Sequence, residues 1–175
     1  MFSVLIWNAR GLGAHAKSAF VAAEVKRHMA PMTVILEPKQ EVNRMAMFGN
    51  RMGFSHHLHA FPGNVHIWVF WKQGWEVEVV DVSAQSIATR ISSSGVDIFF
   101  TFVYASCDAT ERHALWQQLV SFHFMGKPWF VGGDFNTIAE ISDKKGGVGG
   151  LTNAMRDFQG CMAAAGLPGL GFIGN

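Results

Sequence analysis

Asp134 and Asn136 stand two residues apart in the stretch WFVGGDFNTI, residues 129–138, where an apolar run gives way to polar groups. A carboxylate that can hold a water or move a proton, beside a carboxamide that can donate to a developing oxyanion, suits hydrolysis of a phosphoester. The same two residues would serve equally well as an Asx-turn that caps its own backbone. Trp129, Phe130 and Val131 read as a short buried strand, and Gly132 and Gly133 as the place where the backbone turns tightly. The pair is therefore expected at a strand end, where the sites of sheet proteins collect.

Two other polar residues end apolar runs in the same manner. Asn8 closes Phe2 to Trp7, and Glu37 closes Thr33 to Leu36, with Pro38 blocking continuation. A strand-end carboxylate at Glu37, close to Asn8 and Asp134, would suit Mg²⁺, which takes one or two carboxylates and keeps several waters. The competing reading of Glu37 is an exposed acid at a strand end. Four polar strand ends, at Asn8, Glu37, Asp134 and Asn136, point to a common cause.

Other motifs carry less. Gly11, Gly13 and Ala16 fit G-x-G-x-x-A between a strand and a helix, the outline of a dinucleotide-binding module. Against it, Asn8, Ala9 and Arg10 intervene before the first glycine, and the strand-rich middle of the chain breaks the βαβ alternation that fold requires. Strand alternation puts His57 and His59 on one face, a conceivable metal pair, but no Cys or acid lies beside them in sequence and a solvated strand face accounts for them. Cys107 has no evident base. Cys107 and Cys161 form no CxxC pair, which argues against a disulfide framework or a structural zinc site.

The elements that must position these groups follow from periodicity and punctuation. The 175 residues and 49% hydrophobic content suffice for one domain with a real core, and the 15 Phe and 6 Trp favour layered strands and helices. Ala14 to Met29 reads as a helix with Phe20, Val21, Val25 and Met29 on one face. Glu41 to Met52 reads as a second helix, capped by Gly53. Five strands follow, at Phe54–His59, His66–Lys72, Trp75–Val82, Ile87–Ile91 and Asp97–Tyr104, with hairpin turns expected at residues 72–74 and 92–95. Helices at Glu111–Phe124 and Thr152–Ala165, the latter capped by Thr152, and a glycine-rich loop at Lys144–Gly150 complete the reading. A formal net charge of +1 neither suggests nor excludes a nucleic-acid partner. No apolar run reaches bilayer-spanning length, the first apolar stretch is too short for a signal peptide, and the chain reads as soluble.

In this order the motifs resemble the endonuclease/exonuclease/phosphatase family, most closely the apurinic/apyrimidinic-type endonuclease domain of plant LINE-type (non-LTR) retrotransposons. The segments that carry the resemblance are IWNARGLG (6–13), the strand ending in Glu37-Pro38-Lys39, HIWVFWK (66–72), FVYAS (102–106), GGDFN (132–136), MRDF (155–158) and GLGFIGN (169–175). It implies one domain over residues 1–175 with a four-layer α/β sandwich, two packed mixed sheets flanked by helices. It also implies Mg²⁺-dependent cleavage of a DNA phosphodiester, with Mn²⁺ as a substitute, and a nuclear location. By position, Glu37 is the metal ligand and Asn8 a metal-proximal or phosphate-orienting residue. Tyr104 contacts the phosphate, Asp134 handles the proton of the nucleophile or leaving group, and Asn136 stabilises the transition state. A phosphatase or phosphodiesterase acting on another substrate is the alternative on the same fold.

The chain departs from the family pattern in places. Glu37-Pro38-Lys39 stands where a Glu-Thr-Lys type segment is usual, and Ser106-Cys107 where prolines are common after the tyrosine. The Ser-Asp-His segment expected further on is not found, so the chain reads as incomplete at the C-terminus. A second sheet less complete than the first and weak or absent activity are the corresponding expectations.

Overall fold

The computed structural model describes residues 3–60, 64–122, 126–143, 146 and 152–171, arranged as two compact units. The first comprises the chain to Tyr104 together with Lys127–Asp134; the second comprises the segments from Ala105 to Gly126 and from Phe135 onward. Most of the glycine-rich loop at 144–150 and the last four residues of the chain lie outside the described residues.

The first unit holds two mixed sheets of four strands each. Strands β1 (Val4–Asn8), β2 (Met32–Leu36), β3 (His56–Ala60) and β4 (Asn64–Trp71) form one, in the order β1-β2-β4-β3. Strands β5 (Glu76–Val82), β6 (Ser86–Ser93), β7 (Val96–Tyr104) and β8 (Trp129–Asp134) form the other, in sequence order. Each sheet has one parallel pair, β1 with β2 and β7 with β8, and its other pairings are antiparallel. The expected inequality between the sheets is absent among the described residues.

Composition explains the layering. Every residue of β2 is buried, as a central strand covered on both faces requires. Alternation sends Val34 and Leu36 into a core between the sheets, with Ile67 and Val69 of β4, Ile87 and Ile91 of β6, and Phe102 of β7. Ile35 points the other way, with Trp68 and Phe70, against helices α1 (His15–His28) and α2 (Met45–Met52). The first unit is thus an α/β sandwich of helices, sheet and sheet. Helix α1 turns Ser18, Val21, Ala22 and Val25 inward, a stripe at helical spacing. Phe20 and Met29, expected on that face, are 56% and 76% exposed. Phe20 rests edge-on against Trp7, and Met29 is the left-handed cap that ends the helix.

Two local readings are corrected. Residues 72–74 join strands of different sheets, so they are no hairpin, whereas Ser94-Gly95 does close the β6–β7 hairpin. Gly132 and Gly133 are not a turn; they lie inside β8, opposite Phe102 and Val103. Glycine is needed there for close approach. A Cβ on Gly133 would stand 1.9 Å from the carbonyl oxygen of Val103, and one on Gly132 would stand 3.0 Å from Ile6 Cδ1.

The second unit is built on α3 (Ala109–Ser121) and α4 (Asn153–Ala164). Asp108 caps α3 by accepting from the amides of Thr110 and Glu111, which holds its carboxyl below the usual value. Thr152 caps α4 through the Met155 amide, as its sequence implies. Trp116, Phe135 and Phe158 form the aromatic centre. Buried Arg112 donates to the carbonyls of Ser106 and Cys107, so the dipeptide that stands in place of prolines has a structural use.

Candidate functional site

Asn8, Glu37, Tyr104 and Asp134 lie at the carboxyl ends of the parallel pairs of the first unit. Asn8 is the last residue of β1 and pairs in register with Leu36, after which comes Glu37. Tyr104 and Asp134 end β7 and β8 and are register partners. Parallel pairing brings like ends together, so each pair presents two polar side chains at the same edge.

Side-chain bonds join the two edges. Asn8 Nδ2 donates to Asp134 Oδ2 at 2.7 Å, linking residues 126 positions apart and strands of different sheets. Asn8 Oδ1 accepts from the Arg10 amide at 3.0 Å, so both ends of this amide are engaged and its orientation is fixed. Glu37 Oε1 holds the Lys39 ammonium at 2.6 Å, with the Glu37 side chain only 16% exposed. The bond to Glu37 and its charge raise the lysine above its ordinary pKa, slight desolvation opposes this, and Tyr104 adds a smaller push upward. Tyr104 in turn carries the His66 ring against its own, centroids 5.2 Å apart.

The backbone around these residues is strained. Among the described residues, five non-glycine positions have positive φ, and four of them, Arg10, Glu37, Lys39 and Asn136, lie at or within two residues of an expected site residue. Each such conformation costs about 1–3 kcal/mol and persists only where its surroundings hold it. Here Gly11 N–H donates to the Glu37 carbonyl and Leu12 N–H to that of Pro38, both at 2.8 Å. Those two amides belong to the glycine turn that suggested a dinucleotide site. They are spent on the neighbouring loop, and antiparallel pairing of β2 with β4 interrupts the parallel sheet that such a module needs.

Asn136 belongs to the second unit, where its Nδ2 donates to the Ala105 carbonyl at 2.6 Å. The structure thus brings Asn8 to Asp134, Glu37 to Lys39, and Tyr104 into register with Asp134, while Asn136 has a local bond of its own.

Neither a protein-family model nor a curated protein sequence matches the chain. Solved structures do. The endonuclease domain of TRAS1, a telomere-specific non-LTR retrotransposon, superposes with a TM-score of 0.69 at 15% identity, over 94% of this chain and 72% of that one. TDP2 from C. elegans gives 0.57 at 16% identity, over 77% of this chain and 48% of that one. D. rerio TDP2 complexed with a single-strand DNA product gives 0.60 at 12% identity, over 81% and 64%. The chain shares its fold with these solved structures. The chain spans about half the length of the C. elegans structure and most of the retrotransposon domain.

Among the described strand-end residues, Glu37 and Asp134 carry the carboxylates that could take a hard cation, and the Asn8 amide is bonded to Asp134. All three side chains offer oxygen, the donor that Mg²⁺ and Mn²⁺ favour, and Glu37 already holds one positive charge, that of Lys39. Among the described residues there is no cluster of three or more His, Cys, Asp or Glu suited to a metal ion. An ion bound here would therefore rely on few protein ligands and on water or substrate oxygens. Among the described residues, no helix is long and apolar enough to cross a membrane.

Sequence reasoning missed two neighbours of the site, Asn64 and His66. His66 reads as the ordinary start of a strand and Asn64 as part of the break before it. Their contacts, with Ser83 and Tyr104, depend on pairing that no local pattern carries.

Proposed function

We propose that the chain is a divalent-metal-dependent phosphodiester hydrolase acting on DNA, an endonuclease of the retrotransposon type. The observation that supports this reading best is the Asn8–Asp134 hydrogen bond, which ties the ends of two sheets into one polar edge beside Glu37. The similarity in fold to the TRAS1 endonuclease domain and to a DNA-product complex of TDP2 supports the substrate class.

In this proposal Glu37 would hold Mg²⁺, or Mn²⁺ in its place, with Asn8 alongside, and the bound ion would supply Lewis acidity at the phosphate. Asn8 keeps the Asp134 carboxylate in one orientation, and Asp134 handles the proton of the attacking water or of the leaving oxygen. The Tyr104 hydroxyl donates to a non-bridging phosphate oxygen. Lys39, paired with Glu37, would supply positive charge toward the negative charge of the phosphate. Asn136 is assigned to transition-state stabilisation by resemblance, and its own variant tests that role. A nuclear site of action goes with this reading.

Nicking of supercoiled plasmid decides the proposal. Nicked product should form with Mg²⁺ and not with EDTA, and Asp134→Asn should lower the rate by about 10² to 10⁴, the contribution of a positioned acid or base. The same assay measures turnover, on which the expectation of a weak enzyme stands or falls. Hydrolysis of a small phosphate ester without any nicking would transfer the chain to the phosphatase alternative. Nicking that persists undiminished in Asp134→Asn would remove Asp134 from the chemistry.

A further inference from the structure

We infer that Asn64 and His66 form a latch that positions Tyr104 beside Glu37. Its parts all belong to the first unit. The His66 carbonyl accepts the Glu37 amide at 2.8 Å, which fixes the residue just past the end of β2 to β4. The His66 side chain, exposed on its outer side, lays its ring on Tyr104 at 5.2 Å between centroids and an interplanar angle of 37°. One residue therefore touches Glu37 with its backbone and Tyr104 with its side chain.

Asn64 anchors that residue. Its Oδ1 accepts the His66 amide at 2.8 Å, and its Nδ2 donates to the Ser83 carbonyl at 3.0 Å. It is 2% exposed, and both ends of this buried amide are satisfied, one by β4 and one by the turn between β5 and β6. Ser83 N–H donates to the Ser86 carbonyl, closing the β5–β6 turn, and the Gln85 carbonyl in that turn accepts the Tyr104 amide at 2.9 Å. The chain of contacts runs from Glu37 through His66 and Asn64 to the β5–β6 turn, on to the backbone of Tyr104, and back through its ring to His66.

The consequence is pre-organisation. Tyr104 ends its strand, and a ring packed at a tilt against its own narrows the rotamers it can adopt. Ring pairs of this kind contribute about 0.5–1.5 kcal/mol beyond burial, which corresponds to about two- to tenfold in rate if the selected rotamer is the one that meets the phosphate. His66 and Asn64 act through Tyr104, so they are positioning residues. The rate argument rests on the proposed hydrolase function; the positioning itself does not.

Tyr104 is the single tyrosine of the chain, so 3-fluorotyrosine gives one ¹⁹F resonance that reports on it alone. In the native full-length chain, a nuclear Overhauser effect between the His66 and Tyr104 rings is expected. His66→Ala should shift and narrow the ¹⁹F resonance, while His66→Phe, which keeps a ring, should leave its width near native. With Mg²⁺ and plasmid, His66→Ala should lower kcat about two- to tenfold at little changed KM, and His66→Phe should restore it. A native ¹⁹F signal in His66→Ala, absence of the Overhauser effect, or loss in His66→Phe equal to that in His66→Ala would each overturn the latch. If the native chain nicks nothing, the hydrolase reading fails, and the ¹⁹F and Overhauser data decide the latch alone.

Discussion

Replacing Gly133 by Ala tests whether the glycine pair before Asp134 exists for close packing. An ideal Cβ on Gly133 would sit 1.9 Å from the Val103 carbonyl oxygen and 2.8 Å from both its carbonyl carbon and its amide nitrogen. All three are backbone atoms, so no rotamer can yield. Reaching even 3.0 Å requires a displacement of 3.0 − 1.9 = 1.1 Å between β7 and β8. Ladder bonds near 2.9 Å do not survive such a shift, and about two would be lost, each costing roughly 1–3 kcal/mol if its groups stay buried without partners. The φ of +148° adds about 1–3 kcal/mol for a residue with a side chain. The sum, about 3–9 kcal/mol, is comparable with the whole stability of a domain, about 5–15 kcal/mol. Gly132→Ala is the control. Its nearest neighbours are the ends of Ile6 and Phe100 side chains, at 3.0 and 3.3 Å, which can move aside at a cost of about 1–2 kcal/mol. Urea unfolding of both variants, followed by far-ultraviolet dichroism, measures the difference. Plasmid nicking should vanish in Gly133→Ala, because Asp134 would be carried away from Asn8. A Gly133→Ala protein within about 1 kcal/mol of native, or no more damaged than Gly132→Ala, would refute the reasoning.

Three further outcomes are expected. Asn8→Ala removes a bond to a charged group worth about 1.5–3 kcal/mol, so kcat for nicking should fall about ten- to 150-fold while the thermal midpoint moves by only a few degrees. Thr152→Ala should destabilise the chain by about 1 kcal/mol in urea through loss of the α4 cap, and Thr152→Ser should restore it. Burial pushes the Cys161 thiol up to about 11. The unfolded chain, with a thiol near 8.5, gives up its proton first, so stability should fall as pH rises from about 8.5 to about 11. Cys161→Ala should lose that slope in urea midpoints measured across this window.

The positions of most strands and helices were legible because their signals are local. Gly53 in a left-handed cap, Thr152 at a helix start and the fully apolar β2 need only near neighbours to be read. What escaped depends on partners remote in sequence. Residues 72–74 have the composition of a hairpin turn, but composition does not record that β4 and β5 enter different sheets. A glycine pair looks the same whether the backbone turns there or a neighbouring strand comes too close for a Cβ, and only Val103 and Ile6 decide between the two. Asn64 and His66 acquire their interest from Ser83 and Tyr104, which their own stretch says nothing about.

The candidate site was half legible for a topological reason. Parallel strands need a long crossover, so residues that meet at their carboxyl ends are far apart in the chain. Asn8 and Glu37 are separated by helix α1, and α3 lies between Tyr104 and Asp134 in sequence. No fixed-spacing motif can link such residues, and a search for paired carboxylates or histidines along the chain finds nothing decisive. The polar end of an apolar strand is the one local mark available, and it picks out Asn8, Glu37 and Asp134 at the carboxyl ends of the two parallel pairs, together with Asn136, which lies past β8; Tyr104 comes from the resemblance alone. An antiparallel hairpin would have sent its two strand ends to opposite edges. The Asn8–Asp134 hydrogen bond then joins the carboxyl end of one parallel pair to that of the other, across the two sheets.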